Sequence, residues 1–145
     1  MVQLKPITKD NLDAVLALSV EEHQESFVST VADSLAQAYV YRDTAFPFAI
    51  YADEKAVGFI MLGYYESRKQ YTLWKFLIDK EHQGKGYGKE ALKQGIAYLK
   101  ERFGAREIYT GVSLGNETAK GLYRSVGFVE TGLVEDGMEE LKLCL

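Results

Sequence analysis

Hydrophobic and polar positions along the chain switch repeatedly between a period of two and a period near 3.6, and each switch marks an element. Residues 3–7 alternate and predict a short strand. Leu12, Val15 and Leu16 then fall at helical spacing behind Thr8 and Asp10, either of which can cap that helix. Residues 31–39 predict a second helix, and the mixed segment 23–30 between the two is expected to form a flexible wall. Residues 46–52, 56–65 and 71–78 read as three antiparallel strands joined by turns at 53–55 and 66–70. From Glu90 the period lengthens again, with Leu92, Ile96 and Leu99 on one helical face. A strand at 108–112, a helix at 118–126 carrying Ala119, Leu122, Tyr123 and Val126, and a strand at 128–133 follow. Glu135, Asp136 and Gly137 turn the chain into a last strand, where Leu141, Leu143 and Leu145 alternate with Lys142 and Cys144. No linker, repeat or low-complexity stretch interrupts this order, so residues 1–145 read as one α+β domain.

Composition narrows the function classes. With 145 residues, 47% of them hydrophobic, the chain can bury a substantial core. A net charge of −4 argues against an extended nucleic-acid surface and is compatible with a cationic substrate. Cys144, the single cysteine, has no internal disulfide partner and reads as a core or edge filler. His23 and His82 stand far apart without a zinc-like pattern, so no metal is expected. No leader pattern and no run of membrane-spanning length is present, which predicts a cytoplasmic protein without a membrane partner.

The candidate chemistry sits where the apolar strand 73–78 gives way to the long helix. Gln83, Gly84, Lys85, Gly86, Tyr87, Gly88 and Lys89 form a glycine turn whose N–H groups lie at the positive end of the helix dipole, a setting suited to a pyrophosphate. A Walker loop ending at Gly88 and Lys89 would need glycine at position 83 and Ser or Thr at position 90, where Gln83 and Glu90 stand. A dinucleotide fingerprint from Gly84 and Gly86 would need a third glycine at Lys89. Gln83 followed by Gly86 and Gly88 fits instead. It resembles the acetyl-coenzyme A loop of the GCN5-related N-acetyltransferase (GNAT) family, with every fixed position matched.

Downstream, Asn116 precedes Ala119, Tyr123, Gly127 and Phe128, an order similar to the same family's second motif. Taken singly, Asn116 reads as a helix N-cap and Tyr123 as a half-buried helix residue. The resemblance covers nearly the whole chain and implies a mixed sheet with helices on both faces. It further implies a splayed strand pair through which acetyl-coenzyme A enters, bound by backbone groups of Phe76, Leu77 and Ile78, by the glycine loop, and by Asn116 and Ala119. Tyr123 would face the sulfur. The reaction needs a neutral amine, an oxyanion contact, for which an amide near Leu77 is the candidate, and a hydrogen bond to the departing thiolate from Tyr123. Glu21, Glu22, His23 and Glu25 are the candidates for the base, and each alternatively reads as part of a solvated helix end.

For the acceptor, Gln24, Phe27, Val28, Ser34, Leu35 and Ala38 with Leu73, Trp74, Lys75, Phe76, Ile78 and Asp79 look like bacterial spermine and spermidine acetyltransferases. That implies a small-molecule polyamine held by carboxylates and aromatic faces, with Glu22, Glu25 and Trp74 as contacts. Another small amine, an aminoglycoside, an amino acid or a protein N-terminus stays open, as does a non-catalytic acetyl-coenzyme A sensor. Family members often form homodimers, and the C-terminal strand offers an edge for pairing.

Overall fold

The computed structural model describes residues 1–145. Strands β1 (Val2–Pro6), β2 (Ala45–Ala52), β3 (Lys55–Tyr65), β4 (Gln70–Ile78), β5 (Glu107–Ser113), β6 (Val129–Glu135) and β7 (Met138–Cys144) form one sheet in the order β1-β2-β3-β4-β5-β7-β6. All neighbours run antiparallel except β4 and β5, which are parallel. Helices α1 (Leu12–Leu16) and α2 (Val31–Val40) cover one face, where Val15, Val31 and Ala38 pack on Ala49, Phe59, Met61 and Leu77. Helices α3 (Tyr87–Phe103) and α4 (Glu117–Ser125) cover the other, burying Leu92, Leu99 and Tyr123 against Ile60, Leu62, Leu73 and Phe128. The near-continuous apolar run of β3 follows from this, because a central strand covered on both faces has no solvent side. Gly95 lets α3 approach closely: a Cβ there would stand 3.1 Å from Ile60 Cδ1.

The site is set by what happens between β4 and β5. Their parallel pairing lasts only from Tyr71 opposite Ile108 to Leu73 opposite Thr110. At the next residue β4 bulges. Met61 of β3 pairs with Lys75 and Leu62 with Leu73, so Trp74 is an extra residue with no counterpart. A bulge bends its strand and increases the local twist, and beyond it β4 leaves β5. The buried Thr110 hydroxyl donates to the Leu73 carbonyl at 3.0 Å and pins the fork at its apex.

Several expectations are corrected in detail. Neither Thr8 nor Asp10 caps α1; the buried Asn11 organises that entry, its Oδ1 accepting from Thr8 N–H and its Nδ2 donating to the Pro6 carbonyl. The segment expected as a flexible wall overlaps a six-residue 3-10 turn, Glu22–Phe27, whose start is held by Glu21 N–H donating to Gln24 Oε1 at 3.0 Å and Gln24 N–H donating to the Glu21 carbonyl at 2.8 Å. Helix α3 starts at Tyr87 rather than Glu90, which puts Gly88 and Lys89 inside its first turn. The C-terminal strand is not an edge, since β7 lies between β5 and β6, and β6 is the exposed edge. Cys144 is exposed at the end of β7 and fills no core. No helix is long and apolar enough to cross a membrane.

Candidate active site

The glycine turn ends β4 and begins α3 by two different devices. Gly84 and Gly86 have φ of 77° and 83°, the left-handed region, and a Cβ on either would meet nothing within 4 Å. Their need for glycine is therefore conformational. Gly88 has ordinary φ, yet a Cβ there would lie 3.2 Å from Phe76 Cζ and 3.3 Å from Leu122 Cδ2, so its need is for space. Gly86 is the N-cap of α3 and no side chain caps the helix. The first-turn N–H groups thus lack an intrahelical partner, and Gly84, Gly86, Tyr87, Gly88 and Lys89 border a cavity of 390 Å3. Lys85 is exposed and stands outside that lining.

Gln83 braces the turn. Its Nε2 donates to the Ile78 carbonyl at 2.9 Å and to Gln24 Oε1 at 2.9 Å, while Gln24 Nε2 returns a bond to Gln83 Oε1 at 3.2 Å. This amide pair ties the 3-10 turn to the glycine loop across 59 residues of sequence.

Ladder alternation assigns the open side of β4. Asp79 N–H bonds the Val57 carbonyl of β3, and in an antiparallel pair every second residue points its peptide groups the same way. Leu77 accordingly faces β3, and Phe76 and Ile78 face the gap. The N–H groups on the open side near Leu77 are therefore those of Phe76 and Ile78, while the Ile78 carbonyl accepts from Gln83 Nε2.

A second cavity, also 390 Å3, opens on the other side of Phe76 and contains Tyr123. The two share Phe27, Val28, Phe76, Leu77, Asn116 and Ala119 as walls, so they run end to end through the fork. Asn116 is the N-cap of α4, its Oδ1 accepting from Ala119 N–H at 3.3 Å; its amide nitrogen bonds no protein group. The cap reading and the ligand reading of Asn116 are compatible, because they use opposite ends of one amide. Tyr123 is 7% exposed, and burial pushes its phenol up to about 12, the neighbouring Thr110 hydroxyl acting weakly in the other direction. It stays a protonated donor throughout the physiological range.

Residues 12–128 match the acetyltransferase (GNAT) family. The chain belongs to that family. The spermine/spermidine N(1)-acetyltransferase of Bacillus subtilis strain 168 is 32% identical over 149 aligned positions, spanning 97% of this chain and 95% of that protein. A probable spermine N(1)-acetyltransferase from Bacillus subtilis subsp. natto is 33% identical over the same coverage. Among solved structures, an acetyltransferase from Thermus thermophilus superposes with a TM-score of 0.80 at 22% identity, covering 100% of this chain and 97% of that one. The spermidine N-acetyltransferase of Vibrio cholerae in complex with CoA and spermine superposes at 0.79 and 20% identity, covering 99% and 95%.

As a GNAT enzyme the protein is an N-acetyltransferase that uses acetyl-coenzyme A. The free first turn of α3 and the unpaired flank of β4 fit the two polar parts of that molecule, its pyrophosphate and its pantetheine amides. The structure does not bring every expected residue to the site. Glu22 and Glu25 are exposed on the 3-10 turn and border neither cavity, and the same holds for Glu21 and His23. Trp74 does line the second cavity, its ring edge-on to Tyr41 at 5.9 Å between centroids. Sequence reasoning passed over Thr110 and the pairing of Gln24 with Gln83. A buried hydroxyl at an inward position of an alternating strand was the available signal for the first; the second had none.

Proposed function

We propose that this N-acetyltransferase transfers the acetyl group to a primary amine of a polyamine such as spermidine or spermine, by direct attack on the thioester. The observation that carries the reading is the pair of cavities meeting at Phe76, one against the glycine turn and one around Tyr123. A thioester supplies an activated acetyl group with a good leaving group. The α3 first turn would hold the pyrophosphate, and the N–H groups of the open β4 flank would meet the pantetheine arm and the developing oxyanion. The Tyr123 phenol would donate to the sulfur as it takes on charge.

Two features support a polyamine acceptor. Near 32% identity extends over nearly the whole length of proteins named for spermine and spermidine. The acceptor cavity is walled by Phe27, Phe59, Trp74 and Phe76, surfaces suited to methylene chains and cation faces. Carboxylates lie beyond it, in a third cavity that shares Thr110, Gly111 and Met138 with the second. There Glu135 and Glu140 pair with Arg68, Glu139 pairs with Lys120, and Asp136 pairs with no cation. These would take the distal ammonium groups in place of Glu22 and Glu25. A thiol-release assay with spermidine, spermine, monoamines, aminoglycosides and amino acids tests the proposal. Polyamines should give the highest kcat/KM, and a monoamine or amino acid turned over as efficiently would overturn it.

A further inference from the structure

An alkylamine reaches the enzyme as an ammonium ion and attacks only as the free amine, so a proton has to leave before the C–N bond forms. None of the expected bases, Glu21, Glu22, His23 or Glu25, borders either cavity. Only Lys75 and Tyr123 among the residues lining the acceptor cavity carry titratable side chains. His82 lines the donor cavity alone, beside the glycine turn. Tyr123 is already protonated and is needed as a donor.

Lys75 remains. It follows the bulge at Trp74 on the open stretch of β4, and its Nζ lies 2.8 Å from Ser29 Oγ in the segment leading into α2. The groups facing it are the Ser29 hydroxyl and the exposed Asp33 in the first turn of α2; Tyr123 lines the same cavity from α4, and no carboxylate lines that cavity. We infer that Lys75 in its neutral form accepts the proton that the acceptor ammonium gives up. One N–H bond of the ammonium breaks and its electron pair stays on the acceptor nitrogen, while the proton passes to the Nζ lone pair directly or through one water. The lysine ammonium so formed donates to Ser29 Oγ and later returns its proton to solvent. After attack, the nitrogen's surplus proton leaves with the thiol. Burial lowers the Lys75 ammonium from its ordinary range, with Asp33 opposing, which raises the neutral fraction available to accept.

The inference rests on amine acetylation at this cavity and not on the amine being a polyamine. The test therefore uses whichever amine the wild-type enzyme turns over, so a wrong acceptor appears in the wild type and a wrong role for Lys75 only in variants. Lys75→Arg and Lys75→Met are assayed by thiol release from pH 6.5 to 9.5, with acetyl-coenzyme A affinity measured by calorimetry. Both should lose about 100-fold in kcat/KM near neutral pH while keeping coenzyme affinity, and the deficit should shrink as alkaline solution supplies free amine. Near-wild-type activity in Lys75→Arg, which keeps the charge but cannot deprotonate, would overturn the inference, and so would a deficit independent of pH. Ser29→Ala leaves Lys75 in place and removes the acceptor of its ammonium. It should move the acid limb of the kcat/KM profile to lower pH, and an unmoved limb counts against the role.

Discussion

Replacing Tyr123 by Phe removes one oxygen from a side chain that is 7% exposed, and it separates two consequences of that oxygen's burial. In the proposed reaction the phenol would meet a thiolate whose charge appears only as the C–S bond breaks. A hydrogen bond to a charged partner contributes about 1.5–3 kcal/mol, which corresponds to about a 10- to 150-fold loss of turnover. Coenzyme affinity should change little, since the neutral thioester sulfur is a weak acceptor. In folding, the phenol is held up to about 12 against about 10 in the unfolded chain, worth about 3 kcal/mol. A raised folded value makes this contribution fully present below pH 10, and it is lost as pH rises toward 12. Urea unfolding of wild type and Tyr123→Phe at pH 8 and at pH 11.5 reads the second effect, and the difference between the two proteins cancels the titration of the other tyrosines and lysines. Single-turnover thiol release reads the first. Unchanged turnover where chemistry limits the rate would remove Tyr123 from the mechanism. Parallel alkaline losses in the two proteins would refute the burial argument.

Gly86→Ala should cost about 1–2 kcal/mol by chemical denaturation, because φ of 83° is left-handed, with weaker coenzyme binding; full retention of both would show that the turn relaxes. In a double-mutant cycle on coenzyme affinity, Gln24→Ala and Gln83→Ala should show a coupling of about 0.5–1.5 kcal/mol, since either change abolishes the same amide pair. Additive effects would mean that the 3-10 turn and the glycine loop act independently.

How far the sequence speaks depends on whether the signal is local. The glycine turn is readable because left-handed φ and the close approach at Gly88 each demand glycine at one position, and the helix behind it carries its own period. The order of strands and helices, one mixed sheet covered on both faces, is readable for the same reason. The bulge at Trp74 is not, since a bulge is a property of pairing and β4 alone reads as a regular strand. Lys75 looks like an ordinary outward lysine until that extra residue and Ser29 are seen together. Acidic residues show the reverse: Glu22 and Glu25 flank the cavity-lining Gln24 closely in sequence, yet the 3-10 turn leaves both exposed and turns Gln24 inward. Likewise the C-terminal strand inserts between β5 and β6, a long-range choice with no local mark.

The unpaired flank of β4 beyond Leu73 also has a kinetic signature. Backbone hydrogens at Phe76 and Ile78 belong to a central strand of the sheet, yet in the free enzyme they should exchange with deuterium as loops do, while Leu77 beside them exchanges slowly through its bond to β3. Coenzyme would slow the first two and leave the third unchanged. The proposed cleft would then be visible as a two-residue weak point in an inner strand of the sheet, sealed only while the acetyl donor lies along it.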